Sequence, residues 1–155
     1  SRSDEYVHAA DLFPTTLALA GLMTPAEVPT SDGNASVPID AVSLQPILQG
    51  SSATVRDPDE GYVLSENVNL MTGGTRMVSA RNASHKIGCV EGIDRDHCEF
   101  FDLVADPIEE YPLEKPLQCT DYINGEWTPA QHQWHFCRLL EVTKTRSFFP
   151  QENAQ

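Results

Sequence analysis

Two groups of residues in this chain have types and spacing suited to chemistry. The first is His132 and His135, three apart; the second is the basic trio Arg81, His85 and Lys86. Imidazoles at i and i+3 share one face of a helix and can reach one cation. No third ligand stands near the pair in the sequence, so it reads as solvated or partly packed, and no metal site is assigned. Arg81, His85 and Lys86 fall in a stretch with strand character, where they can offer donors to an anionic ester oxygen. They are the candidate substrate-binding residues, weighed against ordinary surface charges paired with nearby acids. The chain has no G-x-S-x-G elbow, no P-loop and no H-E-x-x-H, so no catalytic residue is assigned.

Cys89, Cys98, Cys119 and Cys137 form no C-x-x-C pair, which argues against a zinc ribbon or a thioredoxin-type centre. An even count suits disulfides. Of the possible pairings, Cys89–Cys98 would staple a hairpin and Cys119–Cys137 would tie a loop to the last helix, and these are favoured. Asn34 and Asn82 each begin an Asn-Ala-Ser triplet, the acceptor pattern for glycosylation. Together these features point to an extracytoplasmic compartment.

With 155 residues, 40% of them hydrophobic and 21% charged, the chain can bury a core of ordinary size. Its 23 acidic residues against 10 basic ones, a net charge of −13, argue against a nucleic-acid surface, which needs clustered Lys and Arg. No apolar run is long enough to span a membrane. The opening SRSDEYVHAA lacks the layout of a signal peptide.

Certain elements must position these residues. Residues 8–21 predict a helix, regular over 11–20, with Asp11 read as its N-cap rather than a metal ligand and Gly21 as its stop. Phe13, Leu17 and Ala20, with Leu12 and Leu19 beside them, form its core-facing side. If that side meets nothing, the chain is a part of something larger. A polar loop leads to a short helix at 43–49. Strands are predicted at 61–67, 75–82, 85–90 and 99–104, joined by short connections as in an antiparallel meander. The last strand runs into a turn fixed by Asp106 and Pro107. A capping box, Thr128-Pro-Ala-Gln131, starts a helix over 129–146. The class is therefore α+β: a small antiparallel sheet of about four strands packed with a C-terminal helix.

Several of these stretches resemble the C-terminal region of sulfatases, in the alkaline-phosphatase-like superfamily. Glu99, Asp102, Leu103, Asp106, Pro107, Glu109 and Leu113 match the signature ELYDLxxDPxExxNL, with Pro112 in place of its asparagine. Asp11, Leu12, Pro14, Thr15, Leu17, Ala20 and Gly21 match a DLxPTLLxLAG segment. Asp40, Ser43, Leu44, Pro46, Leu48 and Gly50 match DGxSLxPLLxG, with Ala41 for its first glycine. Arg81 and Lys86 stand where an arginine strand leads to a YKL strand, with His85 and Ile87 as replacements.

The resemblance covers about residues 5–115 and implies that 1–50 is the end of a large α/β domain missing from this chain. It implies further that 51–149 is a C-terminal antiparallel subdomain; the last residues, 150–155, read by themselves as a frayed tail. It implies a parent that hydrolyses sulfate esters with a formylglycine nucleophile and calcium or magnesium. The C/S-x-P/A-x-R motif for that nucleophile does not surround any of the four cysteines. The implied partners are the N-terminal catalytic domain and a sulfated small molecule or glycan. On that reading this part completes the fold, lends a pocket residue at most, and has no activity or cofactor of its own. The tail of a phosphonate or phosphate ester hydrolase is the alternative within the superfamily. A non-catalytic glycan-binding domain using Trp127, Trp134 and Tyr122 is the alternative outside it.

Overall fold

The computed structural model describes residues 3, 5–30, 33–69 and 74–146. It divides into two compact units, Ser1–Asp57 and Pro58–Gln155. The tail predicted at 150–155 lies outside the described residues.

In the first unit a 3-10 turn, Ala9–Asp11, leads into helix α1, Leu12–Leu19. Asp11 does not cap α1 with its side chain. Its carboxylate reaches back to the His8 N–H at 2.8 Å and across to the Val42 N–H at 3.0 Å and Arg56 Nη2 at 2.6 Å. Those contacts bury Asp11 and Arg56 and draw the loop after residue 50 into this unit. The neighbouring Thr15 hydroxyl donates to the Asp11 carbonyl and accepts from the Leu44 N–H. The helix is thus docked through Asp11, Pro14 and Thr15, its buried positions, and not through the side predicted to face a core. Leu12, Phe13 and Leu19 are 64%, 50% and 57% exposed.

A pairing that the sequence does not announce follows. Strands β1, Glu27–Pro29, and β2, Ser36–Pro38, form a two-stranded antiparallel ribbon with Val28 opposite Val37. Three-residue strands carry too little alternation to be seen as a period. Helix α2, Gln45–Leu48, is shorter than 43–49; Ser43 contributes by accepting from the Gln45 N–H.

The second unit is a four-stranded antiparallel sheet in the order β3, Val63–Asn69; β4, Thr75–Arg81; β5, His85–Val90; β6, Cys98–Asp102. Alternation decides its faces. Val78, Ala80, Ile87, Cys89, Cys98 and Phe100 point to one side and meet Phe136, Leu139, Leu140 and Val142 of helix α4, His132–Arg146. Phe100 and Phe136 pack edge to face with centroids 5.5 Å apart. Strand β6 stops at Asp102, short of 104, because the Asp102 carboxylate accepts from the Val104 and Ala105 N–H groups and turns the chain. Helix α4 begins at His132 and not at 129. The capping-box glutamine does reach back to the Thr128 N–H, but it closes a turn before the helix. A one-turn helix, α3, Thr120–Ile123, precedes it.

Candidate functional site

Disulfides frame the second unit. Cys89, on β5, is bonded to its register partner Cys98, on β6, and Cys119, just before α3, is bonded to Cys137 of α4. These are the pairings favoured above. No cysteine remains free.

The structure does not gather the basic trio into one cluster. Arg81 and Lys86 are register partners on β4 and β5 and share the sheet face away from α4. His85, one residue along, points to the opposite face and is buried beneath the helix. Lys86 Nζ lies 2.6 Å from a Glu109 carboxylate oxygen. Glu109 sits in the turn after β6 with φ of +59°, a conformation that costs a side-chain-bearing residue roughly 1–2 kcal/mol. The lysine and the glutamate of two matched motifs therefore close on each other across the open face of the sheet.

Under α4 lies a group of histidines. The His85 and His135 rings stack with centroids 4.0 Å apart. His135 Nε2–H donates to the Pro129 carbonyl, and Nδ1 accepts from Asn82 Nδ2 at 2.8 Å, so this imidazole is neutral and fully committed. Burial likewise holds its pKa below the usual histidine value. Asn82 is itself fully buried, with its oxygen accepting from the Ser84 and His85 N–H groups. This corrects the expectation for Asn82 as a glycosylation acceptor. Its amide nitrogen donates to His135 and to the Asp59 carbonyl, leaving no room for a sugar. Asn34 lies exposed between β1 and β2.

His85 Nε2 is 2.7 Å from His132 Nδ1, and His132 Nδ1 is 4.0 Å from Asp102 Oδ2. Burial, then the adjacent His135, pushes the His85 pKa down to about 4, so at neutral pH its ring carries no charge. For Asp102, burial alone would raise the carboxyl's pKa. The Ala105 and Val104 N–H groups and the neighbouring histidines outweigh that and hold it below the usual value. His132 pairs across to the sheet and not with His135 on its own helix. That partnership had no signal in the sequence: Asp102 and His85 lie on different strands, and only the β5–β6 register brings them beside the start of α4.

Among the described residues, no group suits the cofactors that the motifs imply. All four cysteines are in disulfides, so none is available as the precursor of a formylglycine. Among the described residues, the group of three or more His, Cys, Asp or Glu that converges is His85, Asp102 and His132. Two imidazoles and one carboxylate do not suit calcium or magnesium, which take oxygen donors. The aromatics weighed for a glycan platform are half-buried. Tyr122 and Trp127 lie against the core, and Trp134 makes edge contact with Tyr122 and with His135.

No family model matches the chain, and no curated protein matches it. Solved structures do. A protein from Bacteroides thetaiotaomicron assigned as a sulfatase aligns over 86% of this chain and 24% of its own, with 25% identity and a TM-score of 0.51. A 2-O GAG sulfatase aligns over 88% of this chain and 26% of its own, with 22% identity and a TM-score of 0.46; the likeness that carries weight is the first. The chain spans about a quarter of the length of these two proteins. In motif order and in fold it is similar to the C-terminal region of sulfatases.

Proposed function

We propose that the chain is the C-terminal part of a sulfate ester hydrolase and that it serves there to complete the fold. The observation that carries this reading is the apolar side of α1. Leu12, Phe13 and Leu19, continued by Leu22 and by Met23 at 92% exposure, present a hydrophobic surface that a free-standing domain would cover. A neighbouring catalytic domain is the partner that this side fits. The Lys86–Glu109 pair supports a structural role for the matched lysine; any part in a pocket falls to Arg81 and Lys86 on the open sheet face, without His85. Calcium or magnesium and the formylglycine would be supplied by residues of the parent outside this chain. The two disulfides favour an extracytoplasmic location for the parent.

The test is hydrolysis by the protein from the complete reading frame, assayed in parallel on an aryl sulfate, an aryl phosphate and an aryl phosphonate, beside this chain alone. Release from the sulfate by the complete protein, and none by the chain, is the expected result. Release from the phosphate or phosphonate alone would move the parent to the other branch of the superfamily. No hydrolysis of any ester by the complete protein would overturn the enzyme reading.

A further inference from the structure

We infer that His85, Asp102 and His132 form a binding site for a divalent transition cation of the zinc class, one that fastens the start of α4 to the β5–β6 edge of the sheet. Their ligand atoms already lie within 4.8 Å of one another. Ligands 2.0–2.1 Å from a tetrahedral zinc stand about 3.3 Å apart. The observed separations of 2.7 Å and 4.0 Å bracket that spacing, so a small rotation of His132 suffices to equalise them. His132 can make that rotation, because its side chain is 54% exposed in the first turn of α4.

The other two ligands are held by supporting bonds, as metal sites require. Asp102 Oδ1 is fixed by the Val104 and Ala105 N–H groups, at 2.9 and 3.1 Å, which leaves Oδ2 to the histidines. His85 Nδ1 is 2.8 Å from the Ser84 hydroxyl, so its other nitrogen is presented to His132. The stacked His135 cannot compete as a ligand, since both its nitrogens are committed to Asn82 and Pro129. Two imidazoles and one carboxylate leave a fourth position on the exposed side for water. The donor set favours zinc, cobalt or nickel over calcium and magnesium. On binding, the proton between His85 and His132 gives way to the cation, and His132 carries its N–H on Nε2, toward solvent. This assignment stands on the residues of this chain and does not depend on the sulfatase reading.

The full chain is titrated with zinc by calorimetry and with cobalt as a spectroscopic probe. Measurements are made on the natural sequence and on His132→Gln and Asp102→Asn. His132 is exposed, so its variant should keep the fold; circular dichroism checks both variants. Expected are one cation per chain, visible cobalt bands of a four-coordinate site, and a rise in Tm with zinc. Magnesium and calcium should give neither binding nor a Tm rise. Loss of a ligand should weaken binding by more than the roughly 10- to 100-fold that loss of a supporting bond costs. No saturable binding of zinc or cobalt by the natural chain would overturn the site. So would unchanged affinity in folded His132→Gln, which would place the cation elsewhere, for instance at the exposed His97–Asp94 pair.

Discussion

Asp11 shows what a single buried carboxylate does in this chain. It is fully buried beside Arg56, whose side chain is almost as enclosed, and each needs the other because an unpaired buried charge is costly. Asp11→Asn keeps the shape and strands the guanidinium, so we expect a loss of about 3 kcal/mol, from the range seen when one partner of a buried pair is removed. Chemical denaturation of the two proteins at neutral pH checks it. Burial alone would raise the Asp11 pKa, but the Arg56 bond and the His8 and Val42 N–H groups together hold it below the usual aspartate value. A depressed carboxyl pKa means that, as pH falls through the unfolded value, the unfolded chain takes up a proton before the folded one does. The stabilisation is therefore present above about pH 4 and is lost as the pH falls toward the folded value. The Tm difference between the natural chain and Asp11→Asn should shrink below pH 4 and be flat above pH 6. A difference independent of pH would show that Asp11 acts through shape alone.

At the scale of elements, the second unit rests on one helix packed on one sheet, with a disulfide tying that helix to the segment just before α3. Phe136 is 1% exposed against Phe100, so Phe136→Ala should cost about 3–5 kcal/mol. Opening Cys119–Cys137, as in Cys119→Ser with Cys137→Ser, should cost roughly 3 kcal/mol by freeing the loop that leads into α4. The two losses should be less than additive, since Cys137 is the next residue along the same helix. Urea midpoints of the single, paired and combined variants measure this, and full additivity would show that the bond and the packing act separately. The sequence could be read wherever a run was long enough: the strands expected at 61–67, 75–82, 85–90 and 99–104 overlap β3 to β6, and on β4 and β5 the buried residues Val78, Ala80, Ile87 and Cys89 stand two apart. It was silent at β1 and β2, whose three residues each hold no period. At α1 the apolar spacing did not show which side this chain itself buries: Asp11, Pro14 and Thr15 dock the helix, and Leu12, Phe13 and Leu19 stay exposed. Alternation alone sends His85 and Lys86, adjacent on a strand, to opposite faces; it could not show that one would meet His132 and the other Glu109. Only the register reveals that.

For the whole molecule, the apolar side of α1 and the charge of −13 pull in different directions. The charge keeps copies of the chain apart in solution; the side of the helix carrying Leu12, Phe13 and Leu19 favours their coming together. The balance should depend on salt, because added ions screen the repulsion and leave the hydrophobic attraction in place. We therefore expect this chain to self-associate as ionic strength rises. The triple change Leu12→Gln, Phe13→Gln, Leu19→Gln should abolish that association. It should alter the chain's own Tm little, since substitutions at exposed positions usually lie within about 0.5 kcal/mol of neutral. In the complete protein the same three changes should be severe: burying each such side chain is worth roughly 1.5–3 kcal/mol, and their loss would leave the junction with the catalytic domain open. Light scattering against salt for the chain, and soluble yield with Tm for the complete protein, separate the two effects. A triple variant that unfolds the isolated chain would mean that these residues already serve its own core. One that leaves the complete protein unharmed would mean that this side of α1 meets water there too, and the fold-completing role proposed above would fall with it.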